Sequence, residues 1–419
     1  MLVAADLHLH SRYSRGTSDE MTLEFLKRCA EVKGLQVIGT GDFTHPRWLR
    51  ELREKLVEEN GLYHLKNARR SVRFLVQGEV CTVFDYEGRV RRIHHVIFAS
   101  SLESAELIAE ELGKYGSLEV DGRPTLKMNG AELVEAVLSA DRDALVIPAH
   151  VWTPWFSLFG ARGGVDRVEE CYGDKASQVY ALETGLSSDP EMNWRWSALD
   201  RFTLISNSDS HSPWPWRLGR EANIFNLKEL SYREIADAIR SGDPEKFIMT
   251  IEVDPSYGKY HWSGHRRCGV AVPPEEARRL GGICPVCGKK LTKGVAERLE
   301  ELADRPPGFK PEGKALFIRI LPLCEIIATV LGKKTESKEV WNLYSAAIKK
   351  LGSELDILLY VPDGALRKIL PPMVAELIVR MREGRVRVRP GFDGVYGQLI
   401  IEECRGGGQR KLEDFYKVS

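Results

Sequence analysis

Along the first 240 residues, short apolar runs of strand length alternate with longer stretches whose apolar residues recur every three or four positions. The runs predict strands at Leu2–Leu7, Leu35–Thr40, Arg73–Gly78, Ala144–Pro148, Gln178–Leu182 and Phe202–Ser206. The amphipathic stretches predict helices at Thr22–Lys33, Pro46–Glu59, Ser104–Lys114, Asn129–Ser139 and Ser231–Ser241. Gly34 can close the first helix in the left-handed conformation, and Ser231 with Glu234 makes a capping-box pattern at the last. From Val80 to Ala99 the chain reads as a hairpin turning at DYEGR.

The pattern changes near residue 245. From SYGKYHWSGHRRC to CPVCGKKL the chain is short, rich in Gly and Pro, and unable to bury a core of its own. ADRPPGFKPEG after Leu302 reads as a linker. From Ala315 to Arg382 the sequence is helical, broken at LGKKTES and VPDG, and RVRVRPGFDGVYG reads as a strand, a turn and an edge. The expected division is therefore an α/β unit over residues 1–245, a small module over 246–304 and a mainly helical unit over 305–419.

Composition narrows the class. At 43% hydrophobic and 29% charged, the 419-residue chain is a folded protein with no apolar run of membrane-spanning length. No membrane partner is expected, and the start MLVAADLHLH lacks a secretory pattern, so a cytoplasmic location is expected. Eight cysteines are too few for a disulfide scaffold; Cys29, Cys81, Cys171, Cys324 and Cys404 read as small buried residues in a reducing compartment. Thirteen Asn and Gln point to a heat-adapted source. Sixty basic against sixty acidic residues exclude a globally basic nucleic-acid coat. The charge is nevertheless uneven, since residues 305–419 carry 20 Lys and Arg against 14 Asp and Glu.

Residues of metal-ligand type fall after the predicted strands. His8 and His10 follow the first, Asp42 the second, Glu79 the third, His150 the next, and Asp209 with His211 the last. In a parallel barrel, strand C-termini converge on one face, so scattered positions meet in space. H-x-H on extended chain puts both imidazoles on one side, and D-x-H at Asp209 and His211 repeats the spacing. A lone His after a strand usually caps or hydrogen-bonds; seven ligand-type residues at five strand ends point to a cluster. Imidazole with carboxylate suits zinc, manganese or iron.

The segments DLHLHSRYS, GTGDFTH, GEV, IHH, PAH and NSDSH resemble the successive motifs of the polymerase and histidinol phosphatase (PHP) family. The resemblance implies an α/β fold, a distorted seven-stranded βα barrel, with two or three divalent ions (zinc, manganese or magnesium) in a phosphoesterase site. By the same resemblance His8, His10, Glu79 and Asp209 hold one ion. Glu79 bridges to a second, shared with His150 and a hairpin histidine, His94 or His95. The family motif, with its His after a basic and a β-branched residue, favours His94. The resemblance also implies catalytic roles for Glu79, Asp42 and His211. The chain departs from the family in having Asp42-Phe43 where Asp-His is usual, with His45 two residues on. Ser14, Thr17 and Ser18 stand in the region of a further ligand.

A second constellation is His265-x-x-Cys268, then fifteen residues, then Cys284-x-x-Cys287. Two such knuckles complete a tetrahedron, so a structural zinc is expected, with His261 competing for the histidine position. Four protein ligands leave no open position for catalysis.

The order of PHP domain, knuckles and helical tail resembles the endonuclease Q family over essentially the whole chain. That resemblance implies an archaeal-type DNA repair endonuclease. It would nick DNA 5′ to deaminated bases (uracil, hypoxanthine, xanthine) and abasic sites by metal-activated water. DNA is then the expected partner; nothing in the sequence names a replication-clamp or repair partner. Arg385, Arg387 and Arg389 alternate along one strand face and are candidates for phosphate contacts, or else a charged edge. Trp152, Trp155 and Phe156 after His150, and Trp214 and Trp216 after His211, are candidates for base stacking or for packing. The competing readings are a PHP-type phosphatase of small monoesters and a non-catalytic nucleic-acid-binding accessory protein.

Overall fold

The structure, a computed structural model, describes residues 1–400; Cys404 lies outside the described residues. The first apolar run forms the strand Leu2–Asp6, buried from its second residue onward. It pairs in parallel with Val37–Gly39 and antiparallel with Ala222–Asn226, at the middle of an eight-stranded sheet. From one edge that sheet runs Leu316–Arg319, Phe247–Glu252, Ala222–Asn226, Leu2–Asp6, Val37–Gly39, Arg73–Leu75, Leu62–Leu65 and Leu56–Glu59. The predicted hairpin is present as Gln77–Tyr86 with Arg89–Phe98, flanked by Thr125–Leu126 and Leu145–Pro148 in a four-stranded sheet. Ala181–Glu183 and Thr203–Ile205 form a separate parallel pair.

The fold is mixed α/β, but hydrogen bonding does not close the expected seven-stranded barrel among the described residues. Isolated backbone bonds span the seams instead: Val151 N–H to Glu183 O at one, and at the other the parallel bridge of Leu9 with Ser210, where His10 N–H donates to Ser210 O and Ser210 N–H to His8 O. The ladders stop because the chain kinks beyond the strand ends: Asp42, His150 and Asp209 all have positive φ (44°, 33° and 46°). Such backbone is costly for non-glycine residues and collects at functional sites.

Local signals place most helices. Thr22 accepts from Phe25 N–H at the start of Leu23–Lys33, and Gly34 closes it at φ 97°. Asn129 and Glu132 form a full capping box ahead of Gly130–Ala140. Three expectations are corrected. The helix from Pro46 ends at Lys55, because Asn60 and Gly61 (φ 58° and 73°) make a mirror-image turn between the strands Leu56–Glu59 and Leu62–Leu65. The segment Gly173–Gln178 is a 3₁₀ turn, which moves the next strand to Ala181–Glu183. Leu316–Arg319, expected to be helical, is a strand parallel to Phe247–Glu252, so the main sheet draws on chain beyond residue 245.

Helices resume at Leu323–Leu331, Lys338–Leu351, Glu354–Leu359, Asp363–Ile369 and Pro372–Arg382. They are fastened to the end of the helix Leu23–Lys33 by a buried pair, Lys33 Nζ to Glu354 Oε1 at 2.8 Å, while Tyr344 and Leu323 also donate to Glu354. Among the described residues no helix is long and apolar enough to cross a membrane.

Candidate metal centre

His8 and His10 lie just past the first strand, on the side opposite the fully buried Leu9. Both are buried, as are Glu79, His94 and His150. The ligand atoms of His8, His10, Glu79 and Asp209 lie within 4.8 Å of one another, and those of Glu79, His94 and His150 do likewise. Glu79 belongs to both groups, one oxygen to each. Its Oε2 faces His10 Nε2 at 3.2 Å and His8 Nε2 at 3.8 Å, and its Oε1 faces His94 Nδ1 at 2.9 Å and His150 Nε2 at 3.3 Å.

The 2.9 Å approach of Glu79 Oε1 to His94 Nδ1 does not have hydrogen-bond angles. Both atoms, with His8 Nε2, are buried polar atoms without a hydrogen-bond partner. Orphaned atoms of this kind are costly unless something else satisfies them. Imidazole and carboxylate lone pairs converging on common points fit divalent ions.

The outward nitrogens of His8, His10 and His150 are oriented from behind. Glu183 meets His8 Nδ1 at 3.0 Å and also accepts from His150 N–H and Asn207 Nδ2. Asp42 meets His10 Nδ1 at 3.0 Å, and Thr153 Oγ1 meets His150 Nδ1 at 3.1 Å. Carboxylates behind imidazoles fix the ring and raise its basicity. Burial would lower the His8 and His10 imidazoles. Glu183 beside His8 and Asp42 beside His10 outweigh it and hold both well above the ordinary histidine value. Burial would raise Glu79, yet His94, Arg123 and the other imidazoles keep it well below the carboxylate range. Burial pushes His94 down to about 4, leaving the neutral, ligand form.

The structure does not gather Asp42 or His211 into either group. Asp42 accepts from Ser11 N–H, Ser11 Oγ and Ser14 Oγ besides facing His10, which leaves its oxygens satisfied. His211 packs tilted against His10 at 4.3 Å between centroids, and its Nδ1 lies 3.0 Å from Asp209 O. His45 stacks on Tyr13 instead. Strand alternation turns His95 away, its ring between Thr82 Oγ1 and Tyr172 Oη at 2.9 and 2.8 Å.

Sequence reasoning missed two members of the site. Glu183 ends a strand placed too early, although an acid at a strand C-terminus was the signal used for the other positions. Arg123, whose Nη1 donates to Glu79 Oε2 at 3.1 Å, comes from a loop and carried no signal.

The aromatic candidates separate. Trp152 is corrected: it is fully buried against Phe159 and Trp196, with Nε1 donating to Asn193, and cannot meet a base. Phe156 and Trp155 are 43% and 40% exposed; Phe156 stacks on His94, and Trp155 meets Tyr260 edge-on. Trp214 and Trp216 stack on each other and against Trp341. Of the arginines, Arg385 precedes the strand Arg387–Arg389 and pairs with Glu383, while Arg387 and Arg389 sit exposed on that strand.

His265, Cys268, Cys284 and Cys287 also converge within 4.8 Å. His265 Nδ1 lies 3.5 Å from Cys287 Sγ, whereas His261 is not in the group. Their donor types fit a tetrahedral zinc.

Comparison with known proteins agrees with this geometry. Residues 322–385 match the family described as the MJ0043 C-terminal domain. The MJ0043 protein of Methanocaldococcus jannaschii is 35% identical over 261 residues, 60% of this chain but 32% of that protein. This chain therefore spans about a third of that relative's length. The YqxK protein of Bacillus subtilis is 29% identical over 95% of this chain and 99% of its own. The lesion-specific endonuclease PfuEndoQ of Pyrococcus furiosus superimposes with a TM-score of 0.87 at 34% identity, over 100% of both chains. An endonuclease Q solved with a 27-mer duplex bearing an abasic lesion at its active site gives 0.85 at 35% identity, over 96% of this chain and 97% of its own. With over a third of positions shared along the full length of a solved member, the chain belongs to the endonuclease Q family.

Proposed function

We propose that the protein is a metal-dependent DNA repair endonuclease. It nicks DNA on the 5′ side of uracil, hypoxanthine and xanthine, and at abasic sites. The carrying observation is Glu79, one buried carboxylate dividing its two oxygens between two sets of imidazoles. That arrangement supports two divalent ions (zinc, manganese or magnesium) side by side, whereas the satisfied oxygens of Asp42 leave little for a third. When bound, the ions would acidify a water and neutralise charge on the scissile phosphate. The chain's own part is to hold that geometry: Glu183, Asp42 and Thr153 lock the rings of His8, His10 and His150. DNA as substrate is supported by the relative that holds an abasic duplex at its active site.

In this reading residues 1–245 carry the catalytic centre, 246–304 a structural zinc, and 305–419 a mainly helical DNA-binding region. The isolated backbone bonds across the two sheet seams support treating the strands as walls of a distorted barrel. Trp155, Phe156 and Arg389 are the proposed DNA contacts.

The test is incubation of the purified full chain and Mn²⁺ with uracil, hypoxanthine, abasic and intact duplexes, beside a phosphomonoester. Nicks on the 5′ side of lesions, with the intact duplex spared, are expected. Release of phosphate from the monoester without nicking would replace this reading with a PHP-type phosphatase.

A further inference from the structure

We infer that Arg123 is the phosphate-receiving residue of this centre, parked on Glu79 until divalent ions occupy the site. The inference takes its ligand, a phosphodiester oxygen, from the proposed function, and its residue from geometry. Arg123 Nη1 lies 3.1 Å from Glu79 Oε2, the oxygen that also faces His8 and His10. Its guanidinium therefore stands where an ion at the first group would compete for the same lone pairs.

The loop that carries Arg123 is pinned from both sides. Gly122 N–H donates to Tyr13 O at 3.0 Å and Cys81 N–H to Pro124 O at 2.9 Å, while Arg123 N–H donates to Asp121 Oδ1 at 3.2 Å. A Cβ at Gly122 would collide with Asp42 Oδ2 and Ser14 Oγ, so only glycine lets the loop lie this close to the ligand residues. The backbone of Arg123 is thus fixed at the rim. Its side chain is 24% exposed, and the bond to Glu79 is its single side-chain hydrogen bond among the described residues. Among the described residues Nε and Nη2 have no protein acceptor, at the mouth of a site built from four imidazoles and two carboxylates.

A planar fork of N–H donors matches the non-bridging oxygens of a phosphodiester, and a lysine ammonium does not reproduce that fork. When ions take the lone pairs of Glu79, the Arg123–Glu79 bond weakens and like-charge repulsion turns the guanidinium toward the incoming anion. One residue would then serve two states: it neutralises the carboxylate when ions are absent and holds phosphate when they are present.

The test uses full-length Arg123→Gln and Arg123→Lys. Mn²⁺ binding is measured calorimetrically on metal-stripped protein, and turnover is measured on uracil-containing DNA and on bis(p-nitrophenyl) phosphate. Arg123→Gln should bind Mn²⁺ about tenfold tighter, because a competing cation is gone. Its turnover on both diesters should fall about 100-fold, as when one transition-state donor is removed. Arg123→Lys should keep parental Mn²⁺ affinity and give intermediate turnover. A purely structural role would weaken Mn²⁺ binding and turnover together, so that result overturns the inference, as does parental turnover in the Gln variant. If the parent hydrolyses the small diester but nicks no DNA, the proposed function fails while the Arg123 result still stands or falls on its own.

Discussion

The two ligand clusters of this molecule are built in opposite ways. The Glu79 cluster draws its members from positions 8 to 209, buries nearly all of them, and backs the imidazoles with Glu183, Asp42 and Thr153. The Cys284 cluster comes from residues 265–287, with Cys287 exposed, Cys268 half-buried, and only Val272, Ala277, Cys284 and Leu291 as a local core. The large core around the sheets positions the first cluster, so in the proposed reading ions there would serve chemistry. The second segment has only a small local core, so an ion there would contribute folding free energy. Bound ions would be catalytic in one place and structural in the other, decided by the source of the scaffold's stability.

The sharpest way to break this comparison is Glu79→Gln. The substitution keeps size and removes the charge that both ion positions share. Cleavage should fall by about 10³-fold or more, the scale expected when a two-ion site is dismantled. The melting temperature should move little, and damaged-DNA affinity measured by anisotropy should stay within a few-fold of the parent. A large loss of stability would show that the strand-end cluster depends on its ions to fold, and the contrast would collapse.

Cys284→Ser tests the other side. One zinc equivalent should be lost from the purified protein. The segment from 265 to 291 should become the first site of limited proteolysis, since local opening tracks few buried contacts. Cleavage of a saturating substrate should fall less than in Glu79→Gln, because no residue of this cluster faces the Glu79 site. A variant with unchanged zinc content and unchanged protease resistance would remove the structural role assigned to the knuckles.

Both clusters were legible because their chemistry is written at fixed spacing. H-x-H and Asp209 follow strand ends, although His211 of the D-x-H spacing stays outside the cluster, and the two cysteines of CPVC stand two residues apart within it. His94 over His95 followed from a family motif, and the structure gives it a physical form in the alternation of Arg89–Phe98. What could not be read was support from distant chain. Glu183 was displaced because Gly173–Gln178, a 3₁₀ turn, passed for the approach to a strand. Arg123 owes its role to a loop pinned by Tyr13 and Cys81, which no local pattern announces. The Asn60-Gly61 turn was readable, as this dipeptide between alternating residues is a strong hairpin signal, but the amphipathic run before it concealed the break. Trp152 shows the limit of adjacency: it follows a ligand by two residues, yet faces the core.

The smallest expected effect concerns the place where the two regions meet. Phe156 stacks on His94 of the strand-end cluster, and its neighbour Trp155 meets Tyr260, ahead of the knuckle residues, at 5.0 Å between centroids. Trp155 is thus an exposed aromatic that joins the wall of the strand-end cluster to the knuckle segment. Trp155→Ala removes a half-exposed ring, so stability should change little. Affinity for uracil-containing DNA should weaken by about 1 kcal/mol, the low end for loss of one base-stacking contact. Trp152→Ala is the control from the same loop segment. It opens a cavity in the core and should cost about 3–5 kcal/mol of stability, lowering the melting temperature and showing no selective loss of damaged over intact DNA. Comparing the two variants by thermal melting and anisotropy separates packing from recognition. If Trp155→Ala binds damaged DNA as the parent does, the aromatic join only fastens the knuckle module to the sheets, and the two regions meet the substrate separately.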